Sequence, residues 1–169
     1  GKFGNALVFN GANALVTIKD SRSLHLSAAM TLEAWVLAPA IRSAWQDVIY
    51  KGSDNYFLEG TSNRNAVPGG GATFGTDDAV LFGPKPVTPN VWTHLALTYD
   101  GTALRLFVNG AQVSSRAHKG AILTSSNPLQ IGGDSIYGQF FAGTIDEVRV
   151  YNVALSAAQI RTDMNTPVR

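Results

Sequence analysis

Apolar and polar residues alternate with a period of two through most of this chain. That period commits it to β-structure, because side chains on a strand point to opposite faces in turn. Residues 30–37 send Leu32, Ala34 and Val36 one way and Thr31, Glu33 and Trp35 the other. Residues 91–101 do the same with Leu95, Leu97 and Tyr99 against His94, Ala96 and Thr98, and residues 102–110 with Leu104, Leu106 and Val108. Shorter runs of this kind lie at 5–10, 14–18, 47–51, 55–59, 79–82, 128–132 and 140–151. Between them stand turn signals: Asp100-Gly101, Asn109-Gly110 and the Gly-Ser-Asp of residues 52–54. Such dipeptides supply the positive φ that a tight hairpin needs. About ten short strands at this spacing predict an all-β, two-sheet antiparallel sandwich.

Two stretches read as loops. Residues 60–71 are rich in Gly and Asn and are expected to be a mobile loop. Residues 83–90 carry three prolines, which exclude a strand and stiffen the path. One helix signal stands out at 156–164, where Ser156 as N-cap and Gln159 three residues on form a capping box. Burial tendency assigns Trp35 and Trp92 to core packing.

The 169 residues suit a single domain, 1–169. Charged residues are only 15% and the net charge is +1, which gives no electrostatic case for nucleic acid or an anionic membrane. No apolar run is long enough to span a bilayer. Cysteine is absent, so disulfides, thiolate chemistry and Cys-type zinc sites are all excluded. The chain starts at Gly1 without a signal-peptide pattern and is read as a piece of a longer protein or a processed chain.

Three segments together resemble a known family. "TLEAWV" at 31–36, "WTHLALTYDGTALRLFVNG" at 92–110 and "GTIDEVRVYNVALSAAQI" at 143–160 are similar to the laminin-G-like jelly rolls of the concanavalin A-like lectin/glucanase superfamily. Residues 4–18 fit the family's first hairpin and residues 128–133 its penultimate core strand. The resemblance implies a jelly roll of two antiparallel sheets, one of them curved. It implies a non-catalytic carbohydrate-binding or adhesive module, appended to a larger secreted or cell-surface protein, often a bacterial one. Its partner would be a glycan or cell-surface ligand. The alternative is a structural or protein-interaction spacer with no glycan, marked by a smooth face of small residues such as Ala96 and Thr98.

The acids argue against an enzyme. Glucanases of this superfamily place two Glu on one strand face, whereas Asp146 and Glu147 are adjacent and point to opposite faces. Glu33 and Glu59 are single acids on separate segments, and His25, His94 and His118 have no partner at a recognisable spacing. The resemblance also implies a structural Ca2+ on the outside of the sandwich, held by Asn10, Gly11 and Asp146; the competing reading has Asp146 capping backbone amides at a bulge. Candidate ligand-binding residues come from the weakly patterned middle, where aromatics mix with planar polar groups: Trp45, Tyr50, Lys51, Asp54, Tyr56, Arg64 and Asp77, with Tyr137 from another loop.

Overall fold

The alternating runs do become strands. The computed structural model describes residues 1–168. Its strands are β1 (Leu7–Asn10), β2 (Val16–Ile18), β3 (Met30–Leu37), β4 (Gln46–Lys51), β5 (Tyr56–Thr61), β6 (Gly69–Phe74), β7 (Asp77–Phe82), β8 (Thr93–Tyr99), β9 (Ala103–Val108), β10 (Ala111–Ala117), β11 (Leu129–Ile131) and β12 (Ala142–Tyr151). The helix α1 (Ala157–Met164) follows them, with the Ser156–Gln159 capping box in place. The front sheet has the order β1-β12-β3-β8-β9-β10 and the back sheet β2-β11-β4-β5-β6-β7. Their facing sides make one core in which Leu32, Leu58, Leu95, Leu97 and Leu106 are wholly buried. None of the described helices is long and apolar enough to cross a membrane.

Three local expectations are corrected. Residues 4–18 are not a hairpin: β1 pairs with β12 in the front sheet, while β2 pairs with β11 in the back sheet. The chain crosses between sheets there, and β1 against β12 still brings the two ends of the fold together. The Gly-rich run at 60–71 is not one loop: Thr61 still belongs to β5, and Gly69–Gly71 open β6, an interior strand. Gly70 faces the core, where a Cβ would lie 3.0 Å from the Phe57 carbonyl oxygen and 3.2 Å from the Leu97 side chain, so a larger residue would have to push its neighbours aside. Trp35 is buried but outside the inter-sheet core, and Trp92 is only half-buried.

Trp35 marks a second, smaller buried layer on the outer face of the front sheet. Ile160 of α1 packs there on Ala96 and Phe107. The Trp35 indole donates to the carbonyl of Met164 at 3.2 Å and meets the His94 ring edge-on. Beneath the helix lie Glu33 and His94, both without exposed surface and 3.9 Å apart, too far for a hydrogen bond. Burial, reinforced by the charge of Asp163, pushes Glu33 up to about 8. Burial, reinforced by Arg149, pulls His94 down to about 4. Between those limits both side chains are neutral, which is how a mostly apolar layer holds them.

Linkage fixes the sign of the consequence. Glu33 ionises at about 8 in the fold and at about 4.3 when unfolded. Its contribution is therefore complete below the unfolded value and is lost as pH rises towards 8. Chemical denaturation between pH 5 and 8 should show wild-type stability falling relative to Glu33→Gln, by up to about 1.4 kcal/mol per pH unit. Parallel pH profiles for the two proteins would show that Glu33 is not held neutral.

Candidate functional site

With one face of every back-sheet strand committed to the core, the residues between the core positions must point outward. Tyr56 and Leu58 enter the core from β5, so Phe57 and Glu59 face out. Ala79 and Leu81 enter from β7, so Asp78, Val80 and Phe82 face out. Between these strands β6 contributes glycine: Gly71 lies opposite Phe57 and Val80, and Gly69 opposite Glu59 and Phe82. A Cβ on Gly71 would stand 2.8 Å from the Phe57 ring and 2.5 Å from the Ala79 carbonyl oxygen. The missing side chains leave a groove of about 250 Å³.

Aromatic side chains wall the groove. Trp45 stands at one end, 5.8 Å from the Phe82 ring, with the Arg64 guanidinium over the same Phe82 at 4.5 Å. Tyr137 stands at the other end, 54% exposed and edge-on to the buried Tyr50. Its loop is held by one side chain: Asp134, fully buried, accepts from the amides of Ile136, Tyr137 and Gln139. Asp47 N–H donates to the Gln139 carbonyl at 2.9 Å and pins the loop's far end.

Polar groups converge between these walls. Asp54, at φ 56° in the β4–β5 turn, gives its N–H to the Tyr50 hydroxyl at 3.1 Å. The Tyr137 hydroxyl donates to Asp54 Oδ2 at 3.3 Å. Burial raises the Asp54 carboxyl, while the Tyr137 and Tyr50 hydroxyls pull the other way. The Thr73 hydroxyl donates to Asp78 Oδ1 at 2.7 Å. Gln139 completes the lining with a side-chain amide.

At the floor, β4 and β5 are in register with Asp47 opposite Glu59, and both are buried. This cross-strand acid pair escaped the sequence reading, which saw Glu59 alone. The two carboxyls lie within hydrogen-bonding reach of each other, and Asp134 is a third acid beside Asp47. No protein donor reaches Asp47 Oδ1 or Oδ2 or Glu59 Oε2. Protonation of one carboxyl would turn it into a donor for the other. Burial first, then the charge of Glu59, raises Asp47 well above the usual carboxylate range. Burial raises Glu59 to about 7.

The sequence candidates separate cleanly. Trp45, Asp54 and Tyr137 line the groove, Tyr50 supports it from behind, and Arg64 sits at its margin. Lys51 does not reach it: it is buried and donates to Asp20 at 2.8 Å and to the carbonyls of Ser125 and Asn127. Tyr56 points into the core, where its hydroxyl donates to the Leu24 carbonyl at 3.0 Å. Asp77 opens β7 in an exposed position outside the groove lining; its neighbour Asp78 is the groove acid. Phe57, Glu59, Asp78 and Val80 were not singled out as binding residues, although strand parity from Leu58, Ala79 and Leu81 would have named them.

The residues implied for calcium do not fit the ion. Asn10 pairs with Ala142, four residues along β12 from Asp146, or about 13 Å at the rise of a strand. Asn10 Oδ1 already accepts from the amides of Ala12, Asn13 and Ala14, each at 3.0 Å. Gly11 forms the turn at φ +69°, its N–H bonded to the Phe141 carbonyl. Asp146 accepts from Phe3 N–H at 3.0 Å and from Glu147 N–H at 2.9 Å, so it caps amides at a bulge where Glu147 takes φ 55°. Among the described residues no set of three or more His, Cys, Asp or Glu is arranged for a metal.

The histidines have structural places away from the groove: His25 lies 3.1 Å from Asp20, His94 is buried under α1 with no hydrogen-bond partner on its ring, and His118 packs on the Phe74 ring.

Comparison with known proteins sets these features in a family. Residues 10–161 match a laminin G model of the Concanavalin A-like lectin/glucanases superfamily. Pappalysin-1 of Mus musculus is 30% identical over 95% of this chain, and the chain spans 11% of that protein's length. Domain 4 of AbnA, a GH43 extracellular arabinanase from Geobacillus stearothermophilus, solved in complex with arabinotriose, superposes with a TM-score of 0.74 at 22% identity. That match covers 96% of this chain and 78% of the other. The Ruminococcus gnavus sialidase module CBM40 bound to α2,3-sialyllactose gives 0.70 at 15% identity, covering 94% and 95%. The chain belongs to the Concanavalin A-like lectin/glucanases superfamily.

The anchoring of Tyr137 is open to test. Asp134→Ala removes the acceptor of three amides, and bonds to a charged acceptor contribute about 1.5–3 kcal/mol each before the offset of desolvating the carboxylate. The variant should lose on the order of 2–3 kcal/mol of stability. Hydrogen exchange should speed up at Ile136, Tyr137 and Gln139 above all. Unchanged protection at those amides would mean that Asp134 does not hold the loop.

Proposed function

We propose that this member of the superfamily is a non-catalytic carbohydrate-binding module, part of a larger secreted or cell-surface protein, and that it holds its sugar in the groove on the back sheet. One observation carries the reading. Trp45 and Tyr137 stand at opposite ends of a ring-sized depression, with Asp54, Asp78 and Gln139 converging between them. Aromatic faces pack on the C–H faces of sugar rings, and planar acceptors take the hydroxyls. The sharing of this fold with an arabinanase domain in complex with arabinotriose and with a sialidase module bound to sialyllactose supports it. That the chain spans 11% of Pappalysin-1 supports its place as one module among several.

The acid pair at the floor argues against hydrolysis. Carboxyl groups that attack a glycosidic bond stand about 5 Å apart in retaining enzymes and farther in inverting ones. Asp47 and Glu59 are close enough to share a proton, and both are buried. A substrate has no room between them. A spacer role is disfavoured too: Ala96 and Thr98 are buried on the helix-bearing front sheet, and the back sheet presents a groove instead of a smooth surface.

Calorimetric titration with neutral oligosaccharides, arabinotriose among them, tests the reading. Trp45→Ala and Tyr137→Ala should each weaken binding roughly tenfold, about 1.4 kcal/mol, while leaving the melting temperature within a few degrees. Prolonged incubation should release no cleavage product. Binding indifferent to both substitutions, or turnover lost in Glu59→Gln, would refute it.

A further inference from the structure

The charge of the groove narrows its ligand further, an inference that rests on the carbohydrate reading above. Three acids line the groove, Asp54, Glu59 and Asp78, and no lysine, arginine or histidine does. Asp47 and Asp134 lie buried behind them. The nearest cations are otherwise engaged. Lys51 is tied to Asp20 and two carbonyls, and Arg64 covers Phe82 at the margin. A chain with a net charge of only +1 has gathered five carboxyl groups at one depression without a countercharge.

Acidic residues close together are often a solvated surface, but here the floor is not solvated. Glu59 is 2% exposed, lines the groove, and its Oε2 has no protein donor. Asp47, opposite it in register, has no donor on either oxygen. Burial holds both carboxyls towards their protonated forms in the empty groove, because an ionised pair there has no countercharge in the protein and would be costly. A cation entering the open groove would supply that countercharge and favour ionisation of Glu59.

We propose that the groove selects a glycan carrying a free, protonated amine, a de-N-acetylated amino sugar, over its neutral and anionic counterparts. The sugar ring stacks between Trp45 and Tyr137, and its ammonium group answers Glu59 and the flanking Asp54 and Asp78. An ammonium is a three-donor cation that a cluster of acceptor-only carboxylates suits, and an electron-rich aromatic wall adds to the attraction. Uronates and sialic acids bring a second negative charge to the same place and are rejected by it.

Three trisaccharides decide the matter when titrated at about pH 7, where a primary amine is still mostly charged and Glu59, at about 7, is partly ionised. They are β-1,4-linked glucosamine, its fully N-acetylated form, and a polyuronate. The amine form is expected to bind at least tenfold more tightly than the N-acetylated form, with the polyuronate weakest, and the margin should shrink as salt is raised. Asp78→Asn, at an exposed position that the fold does not depend on, should cut the preference several-fold. Glu59→Gln should remove it, while the neutral trisaccharide still binds. Equal affinity for the amine and N-acetylated forms, both lost in Trp45→Ala, overturns the selectivity and leaves the carbohydrate reading standing. A preference that survives both acid variants also overturns it. Binding of none of the trisaccharides overturns both readings, and tighter binding of a lysine-rich peptide than of the amine trisaccharide overturns the choice of a sugar.

Discussion

Burial of one face of every central strand is the constraint from which the rest of the molecule follows. Leu32, Leu95, Leu97 and Leu106 in the front sheet and Leu58 and Ala79 in the back sheet have no exposed surface, and their positions fix the parity of each strand. A slip of one residue would exchange faces and bury every polar neighbour. Chemistry is thereby expelled to the two outer faces. The front one is closed by α1, with Ile160 seated on Ala96 and Phe107. The back one is covered only in part, by the loop that carries Tyr137 and Gln139, and beside that loop the groove forms.

The two outer faces handle buried acid differently. Under α1, Glu33 is isolated beside a neutral His94, so neutrality is the solution and no ligand is implied: the helix seals the layer. On the back sheet, Asp47 and Glu59 face each other beneath an open groove, with Asp134 beside them. Burial favours protonation there too, but the open groove lets a donor from solvent reach the pair. The same desolvation that makes Glu33 a structural residue makes Glu59 an attractive floor for a donor arriving from solvent. Access separates the two cases, since both acids are buried.

Much of the fold was legible in the sequence because period-two alternation and Asp-Gly or Asn-Gly turns are local signals. The strands from Thr93 to Ala117 and the Ser156 cap are of that kind. The failures are non-local. Residues 4–18 look like a hairpin, but whether β1 and β2 pair is decided by β12 and β11, more than a hundred residues away. Gly69–Gly71 look like loop because glycine has low strand propensity; their place between β5 and β7 comes from the side chains of Phe57 and Leu97 and the backbone of β7, which crowd the space a Cβ would take. In the site, Trp45, Asp54 and Tyr137 were visible as an aromatic and polar mixture. The Asp47–Glu59 pair was not, because twelve residues of chain and two bulges separate partners that only the β4–β5 register brings together.

Rigidity of the groove follows from where its backbone departs from ordinary strand geometry. Asp54 holds a left-handed φ of 56°, a conformation that costs energy in a non-glycine residue. It is kept there by the Tyr50 hydroxyl on its amide and by Tyr137 on its carboxylate. Tyr137 in turn depends on Asp134, whose carboxylate gathers three loop amides. The Tyr137 end of the groove is thus held by two buried side chains, Asp134 and Tyr50. A ligand entering such a groove has little loop entropy left to remove, so its binding free energy is spent on contacts instead of on ordering the site. That economy suits a module whose task is to hold a sugar, and it places the determinants of affinity in Trp45, Tyr137 and the acids between them.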